Sequence, residues 1–162
     1  MNEKIDFLKA FLPLIREKLL AYPIQEISTK SKFDDIVTDV DVLIQNELIS
    51  TLSTKYPEST FLAEEEGQLE LSNQLWIIDP IDGTKNYVRK HADYAISIAY
   101  YENLKPLFGI VYDIKDDLMY IAQKGEGAYL NDLKMPLCPV KSLNEAIIDI
   151  NLNPGYFHKN KH

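Results

Sequence analysis

From Tyr94 to Leu130 the chain breaks into short apolar segments joined by very short polar links, and this pattern restricts its fold more than any other feature. The segments are Tyr94–Tyr101, Leu107–Tyr112, Leu118–Gln123 and Ala128–Leu130, with Glu102-Asn103, Lys115-Asp116-Asp117 and Gly125-Glu126-Gly127 between them. A parallel crossover needs a dozen or more residues, so links this short favour antiparallel hairpins. Tyr94, Ile96, Ile98 and Tyr100 alternate with the residues between them, as on a strand with one face buried. Aromatic residues in such a pattern read as sheet packing. Upstream, Leu75-Trp76-Ile77-Ile78 is a fourfold apolar run that reads as a buried strand, and Phe61-Leu62-Ala63 is a shorter one.

The N-terminal third has helical periodicity instead. Ile5, Leu8, Leu12, Ile15 and Leu19 form one apolar stripe, which Tyr22-Pro23 ends. Pro13 predicts a kink or a restart inside it. Ile24 to Phe33 reads as a loop. A second helix is expected from Thr38 or Asp39, either of which can cap it, with Ile44, Leu48 and Leu52 on its apolar face and Tyr56-Pro57 as its stop. Asp41 then sits in the first turn, where it favours the helix dipole. The fold class is α+β: two N-terminal helices packed on a largely antiparallel sheet.

The chemistry concentrates in Leu75–Tyr87, LWIIDPIDGTKNY. Pro80 lacks an N–H and is expected to stop the strand. Asp79 and Asp82 then share one turn, with Gly83 and Thr84 beside them and a short helix from Thr84 to Arg89. Close carboxylates repel unless a cation lies between them. Oxygen donors select Mg²⁺, Mn²⁺ or Ca²⁺ over zinc. Asp-Pro and Asp-Gly also occur in ordinary turns, so the residues alone leave both readings open.

The stretch WIIDPIDGTKNY resembles the signature of the inositol monophosphatase family, within a wider set of Mg²⁺-dependent, often lithium-sensitive phosphatases. Phe61-Leu62-Ala63-Glu64-Glu65 resembles the family's G-E-E, with Ala63 in place of the glycine. Asp35-Ile36-Val37-Thr38-Asp39-Val40-Asp41 resembles its D-L-V-T-x-x-D. By composition, Glu64-Glu65-Glu66 reads as a solvated loop and Lys30 as a solvated charge. The resemblance instead makes Glu64, Asp79 and the Ile81 carbonyl ligands of one Mg²⁺ (or Mn²⁺), and Asp79 and Asp82 ligands of a second. It implies that Gly83 and Thr84 N–H groups hold phosphate, that Lys30 lies near the site mouth, and that Glu65 stands behind Glu64. A water oriented by Thr84 and Glu64, with Asp41 behind Thr84, would attack a small phosphate monoester in line. The substrate would be inositol monophosphate or a related sugar or nucleotide phosphate.

The resemblance spans nearly the whole chain yet covers only the N-terminal portion of such a protein. It implies the first layers of an alternating α–β sandwich, residues 1–162 as a metal-binding domain without the C-terminal domain, and a homodimer. Asp132 and Asp149 are the only aspartates after Asn131, and neither lies in the W-D-x-A-A-G-like context that supplies a further ligand. The expectations are therefore a weak or inactive enzyme and an exposed apolar patch. The alternative to a phosphatase is a truncated, non-catalytic metal- or phosphate-binding fragment.

Net charge of −8 argues against binding a nucleic-acid backbone. No apolar run reaches membrane-spanning length and no signal peptide is read. The single cysteine, Cys138, cannot form an internal disulfide, which fits a cytoplasmic protein. Ser142-x-x-Glu145 reads as a capping box and Ala146–Ile150 as a strand. His91, His158 and His162 read as surface residues.

Overall fold

A computed structural model describes residues 2–22, 27–31, 35–63, 72–136, 142 and 144. Its elements run α1 (Glu3–Ala21), β1 (Ile27–Ser31), β2 (Asp35–Thr38), α2 (Asp39–Lys55), β3 (Thr60–Ala63), β4 (Gln74–Asp82), α3 (Thr84–Lys90), β5 (Ala95–Glu102), β6 (Lys105–Asp113), β7 (Leu118–Gln123), β8 (Gly127–Leu130) and β9 (Leu133–Lys134). β3 to β9 form one seven-stranded sheet in chain order. β3 and β4 are parallel, and every later neighbour pair is antiparallel.

The predicted stripe of α1 is its buried face: Ile5, Leu8, Leu12, Ile15 and Leu19 are all buried. Asn2 caps the helix by accepting from the Lys4 N–H at 3.0 Å. Pro13 does not restart it, because α1 continues through that position as one helix. The apolar stripe on both sides of Pro13 packs on the same core, which offsets the lost backbone hydrogen bond. Each of these leucines and isoleucines contributes about 1.5–3 kcal/mol by leaving water. With Val40, Ile44, Leu48 and Leu52 of α2 they cover one face of the sheet, where Trp76, Ile78, Ile96, Ile98, Tyr100, Ile110, Tyr112 and Ile121 meet them. Trp76 is the centre of an aromatic row, with ring centroids 5.6 Å from Tyr56, 4.7 Å from Tyr100 and 5.9 Å from Phe108.

Two segments differ from expectation. Residues 27–31 are a strand, not a loop, because they pair antiparallel with β2 as a separate two-stranded sheet. β9 is a further short strand. The expected capping box at Ser142–Glu145 and strand at Ala146–Ile150 fall largely outside the described residues. No helix among the described residues is long and apolar enough to cross a membrane.

The other face of the sheet is open among the described residues. Cross-strand register lines up Leu62, Ile77, Ala99, Gly109, Ala122 and Ala128 in one row. The small side chains leave an apolar trough of about 840 Å³, bordered by the exposed Val111, Tyr120 and Met135. Asp79 and Ser97 also line it.

Candidate active site

Pro80 does not end β4. The strand runs to Asp82 and absorbs the proline in a bulge. Asp79 is opposite Ser97 and Asp82 opposite Ala95, so three steps along β4 match two along β5. In a regular strand, residues three apart point to opposite faces. The extra residue cancels that difference and brings Asp79 and Asp82 onto the same face as Ser97 and Ala95. Between them, Pro80 and Ile81 are buried, with Ile81 in the core. Asp79 is half-buried and Asp82 exposed. The two carboxylates are therefore presented by a strand bulge and not by a loop turn.

Gly83 follows with φ of 92°, a left-handed conformation that favours glycine. A Cβ there would lie 2.9 Å from the Asp93 carbonyl oxygen. The close approach that requires glycine is to the chain entering β5, which explains the residue without invoking a ligand. The Gly83 carbonyl accepts from the Asn86 and Tyr87 N–H groups at 2.8 and 3.0 Å and starts α3. Tyr87 anchors that helix with its ring 5.0 Å from Tyr94. Burial first, then the neighbouring Tyr94 and Asp41, push the Tyr87 phenol up to about 12.

Thr84, the first residue of α3, meets α2 across 43 residues of sequence. Its hydroxyl lies 3.0 Å from Asp41 Oδ1 and 2.9 Å from the Ile81 carbonyl oxygen. Asp41 is only 2% exposed, although it is a carboxylate. Its Oδ2 accepts from the Thr38 N–H at 2.9 Å and also contacts the Thr38 hydroxyl. Burial raises the Asp41 pKa, against hydrogen bonds from Thr38 and Thr84 that lower it. Thr38 caps α2, as expected, and its N–H, donating to the Asp41 carboxylate, completes a capping box. Sequence reading took Thr38 only as a cap. The spacing of Thr38 to Asp41 was the available signal that the cap and the Thr84 partner are one group.

Asp79, Ile81 and Asp82 thus lie on one bulge, and Thr84 joins it to Asp41. Glu64 and Glu65 lie outside the described residues, and Lys30 is on β1 with its side chain outside the described part. Among the described residues, no group of three or more acidic, histidine or cysteine side chains is poised for a metal. His91 is exposed at the end of α3, as expected. The donor types nevertheless fit a hard cation, since two carboxylates and a backbone carbonyl are all oxygen donors.

The profile of the inositol monophosphatase family matches residues 4–153. An inositol-1-monophosphatase of Bacillus subtilis is 40% identical over 131 residues, which cover 77% of this chain and 48% of that protein. A staphylococcal IMPase-I solved with products superposes with a TM-score of 0.77 at 38% identity, over 83% of this chain and 53% of that one. An IMPase/NADP phosphatase solved with Mg²⁺ and phosphate gives the same TM-score and identity over 85% and 54%. The chain spans about half the length of the relatives it matches.

Proposed function

Since the chain belongs to the inositol monophosphatase family, we propose that it carries the catalytic bulge of a phosphatase acting on small phosphate monoesters. The observation behind this reading is the β4 bulge, which turns Asp79 and Asp82 to one face beside the Thr84–Asp41 hydrogen bond. Glu64, Asp79 and the Ile81 carbonyl would hold one Mg²⁺ or Mn²⁺, and Asp79 and Asp82 a second. Such cations lower the pKa of water and stabilise charge on the attacking and leaving oxygens. Thr84 Oγ1 and Glu64 would orient the attacking water by accepting hydrogen bonds from it, while the Thr84 hydroxyl donates its own proton to Asp41. Gly83 and Thr84 N–H groups would face the phosphate oxygens. Lys30 would add positive charge at the mouth, and Glu65 would support Glu64.

The solved relatives carry Mg²⁺, phosphate and D-inositol-1-phosphate, and some are described as NADP phosphatases. This favours inositol monophosphate or a related sugar or nucleotide phosphate as substrate. A homodimer, a cytoplasmic location and inhibition by lithium belong to the same reading; a relative was solved after a lithium soak. A second reading is a non-catalytic metal- or phosphate-binding fragment; the chain spans about half the length of the relatives it matches. Protein of verified mass should be assayed with Mg²⁺ on inositol 1-phosphate, NADP and fructose 1,6-bisphosphate. Mg²⁺-dependent phosphate release supports the phosphatase. Metal binding without release on any of the three supports the fragment.

A further inference from the structure

Thr38 occupies a position that helix capping alone does not exhaust. It is 2% exposed, beside an Asp41 that is equally buried. Both of its donors reach the same carboxylate oxygen, Oδ2: the N–H at 2.9 Å and the hydroxyl in direct contact. The other oxygen, Oδ1, is the one 3.0 Å from Thr84. Thr84 has one hydroxyl proton and two acceptors in reach, Asp41 Oδ1 and the Ile81 carbonyl at 2.9 Å. It can direct that proton fully to only one of them. A charged carboxylate is the stronger acceptor. The choice therefore depends on Asp41 keeping Oδ1 aimed at α3, which two donors held on Oδ2 provide; the same two bonds also oppose the effect of burial on its charge.

We propose that Thr38 is a positioning residue for Thr84: acting through Asp41, it sets which way the Thr84 hydroxyl proton points. With that proton on Asp41, the Oγ1 lone pairs face outward and the Ile81 carbonyl is not engaged. Without the Thr38 hydroxyl the carboxylate is freer to rotate, and the Thr84 proton turns to Ile81. That carbonyl is one of the oxygens assigned above to a cation, so the inference rests on the phosphatase reading for its purpose. The groups facing Asp41 are few. Thr38 lies on its own helix start, Thr84 and Tyr87 on α3, and Asp39 next along α2 is held by the Tyr22 hydroxyl of α1 at 3.0 Å. Of these, only Thr38 bonds to Oδ2 among the described residues.

The test uses metal-free protein, so that it does not depend on turnover. Thr38→Gly removes the hydroxyl while capping α2 about as well as threonine, and Thr38→Ser keeps it. NMR reads the Thr84 hydroxyl rotamer from the three-bond coupling between its hydroxyl proton and Hβ, and carbon-13 shifts follow the Asp41 carboxyl through pH. Wild type and Thr38→Ser should hold one Thr84 rotamer. Thr38→Gly should average over rotamers, and its Asp41 should titrate at higher pH. One fixed rotamer with unchanged titration in Thr38→Gly overturns the proposal, as does a serine variant that behaves like glycine. If Thr38→Gly does not fold, Thr38→Val, which keeps the shape and β-region backbone of threonine but lacks the hydroxyl, is read against the same outcomes. In protein that turns over, kcat should fall in Thr38→Gly with little change in KM and return in Thr38→Ser. Wild type without turnover sinks the phosphatase reading alone, and the rotamer measurement still decides the role of Thr38.

Discussion

Asp41 is the residue on which burial and charge conflict most directly. Its folded pKa is raised, chiefly by desolvation, from the ordinary 3.8. A carboxyl with a raised folded pKa adds stability below its unfolded pKa and loses it as pH climbs through the folded value. The stability of wild type relative to Asp41→Asn should therefore fall as pH rises from about 4 toward neutrality, in urea melts of both proteins. A flat difference would mean that the hydrogen bonds from Thr38 and Thr84 cancel the burial. Asp79 carries the other residue-scale prediction. It is assigned to both cations, so Asp79→Asn should abolish Mg²⁺ or Mn²⁺ binding in calorimetry, and unchanged binding removes it from the site. Thr84 is assigned to water and not to metal. In active protein Thr84→Ala should cut kcat by about 10²–10⁴, the usual worth of proton-transfer assistance, with metal affinity nearly unchanged.

Among the elements, α1 and β5 were legible because their signals are local. The stripe Ile5 to Leu19 and the alternation Tyr94 to Tyr100 match the buried positions residue for residue. β1 was missed because the partner β2 supplies its strand character; its residues, ISTKS, alternate weakly by themselves. The β4 bulge was missed for a related reason. Pro80 signals an end to pairing, and only the register with β5 reveals that the strand resumes at Asp82. The site residues were found through motif resemblance, while their shared face and the reach of Thr84 to Asp41 needed the fold. Pro13 gives the prediction at this scale. A proline costs about 3 kcal/mol against alanine inside a helix, partly offset by about 1 kcal/mol of unfolded-state stiffness. Pro13→Ala should thus stabilise the protein by about 2 kcal/mol in urea unfolding, provided the neighbouring turn is free to straighten.

At the scale of the whole molecule, one sheet face is covered by two helices, and the other presents an apolar trough among the described residues. Contiguous apolar surface of that kind promotes association. Sedimentation should show concentration-dependent self-association that Tyr120→Lys, at a 38% exposed position bordering the trough, weakens. Association unaffected by that change would place the contact elsewhere. The sheet has a further property: its seven strands lie in chain order. From β5 onward, the connections are two to four residues long. Closing such loops costs little chain entropy, and hairpins of this size form in about 1–10 μs. From β5 onward the meander can therefore zip up strand by strand, with the β4–β5 joint, whose paired residues lie up to 28 apart in sequence across α3, as its slower, less local step. Asp79 and Asp82 are brought onto one face only when β5 pairs with β4 across α3, so the carboxylate pair is built at the least local joint of the meander, after its short hairpins are free to form.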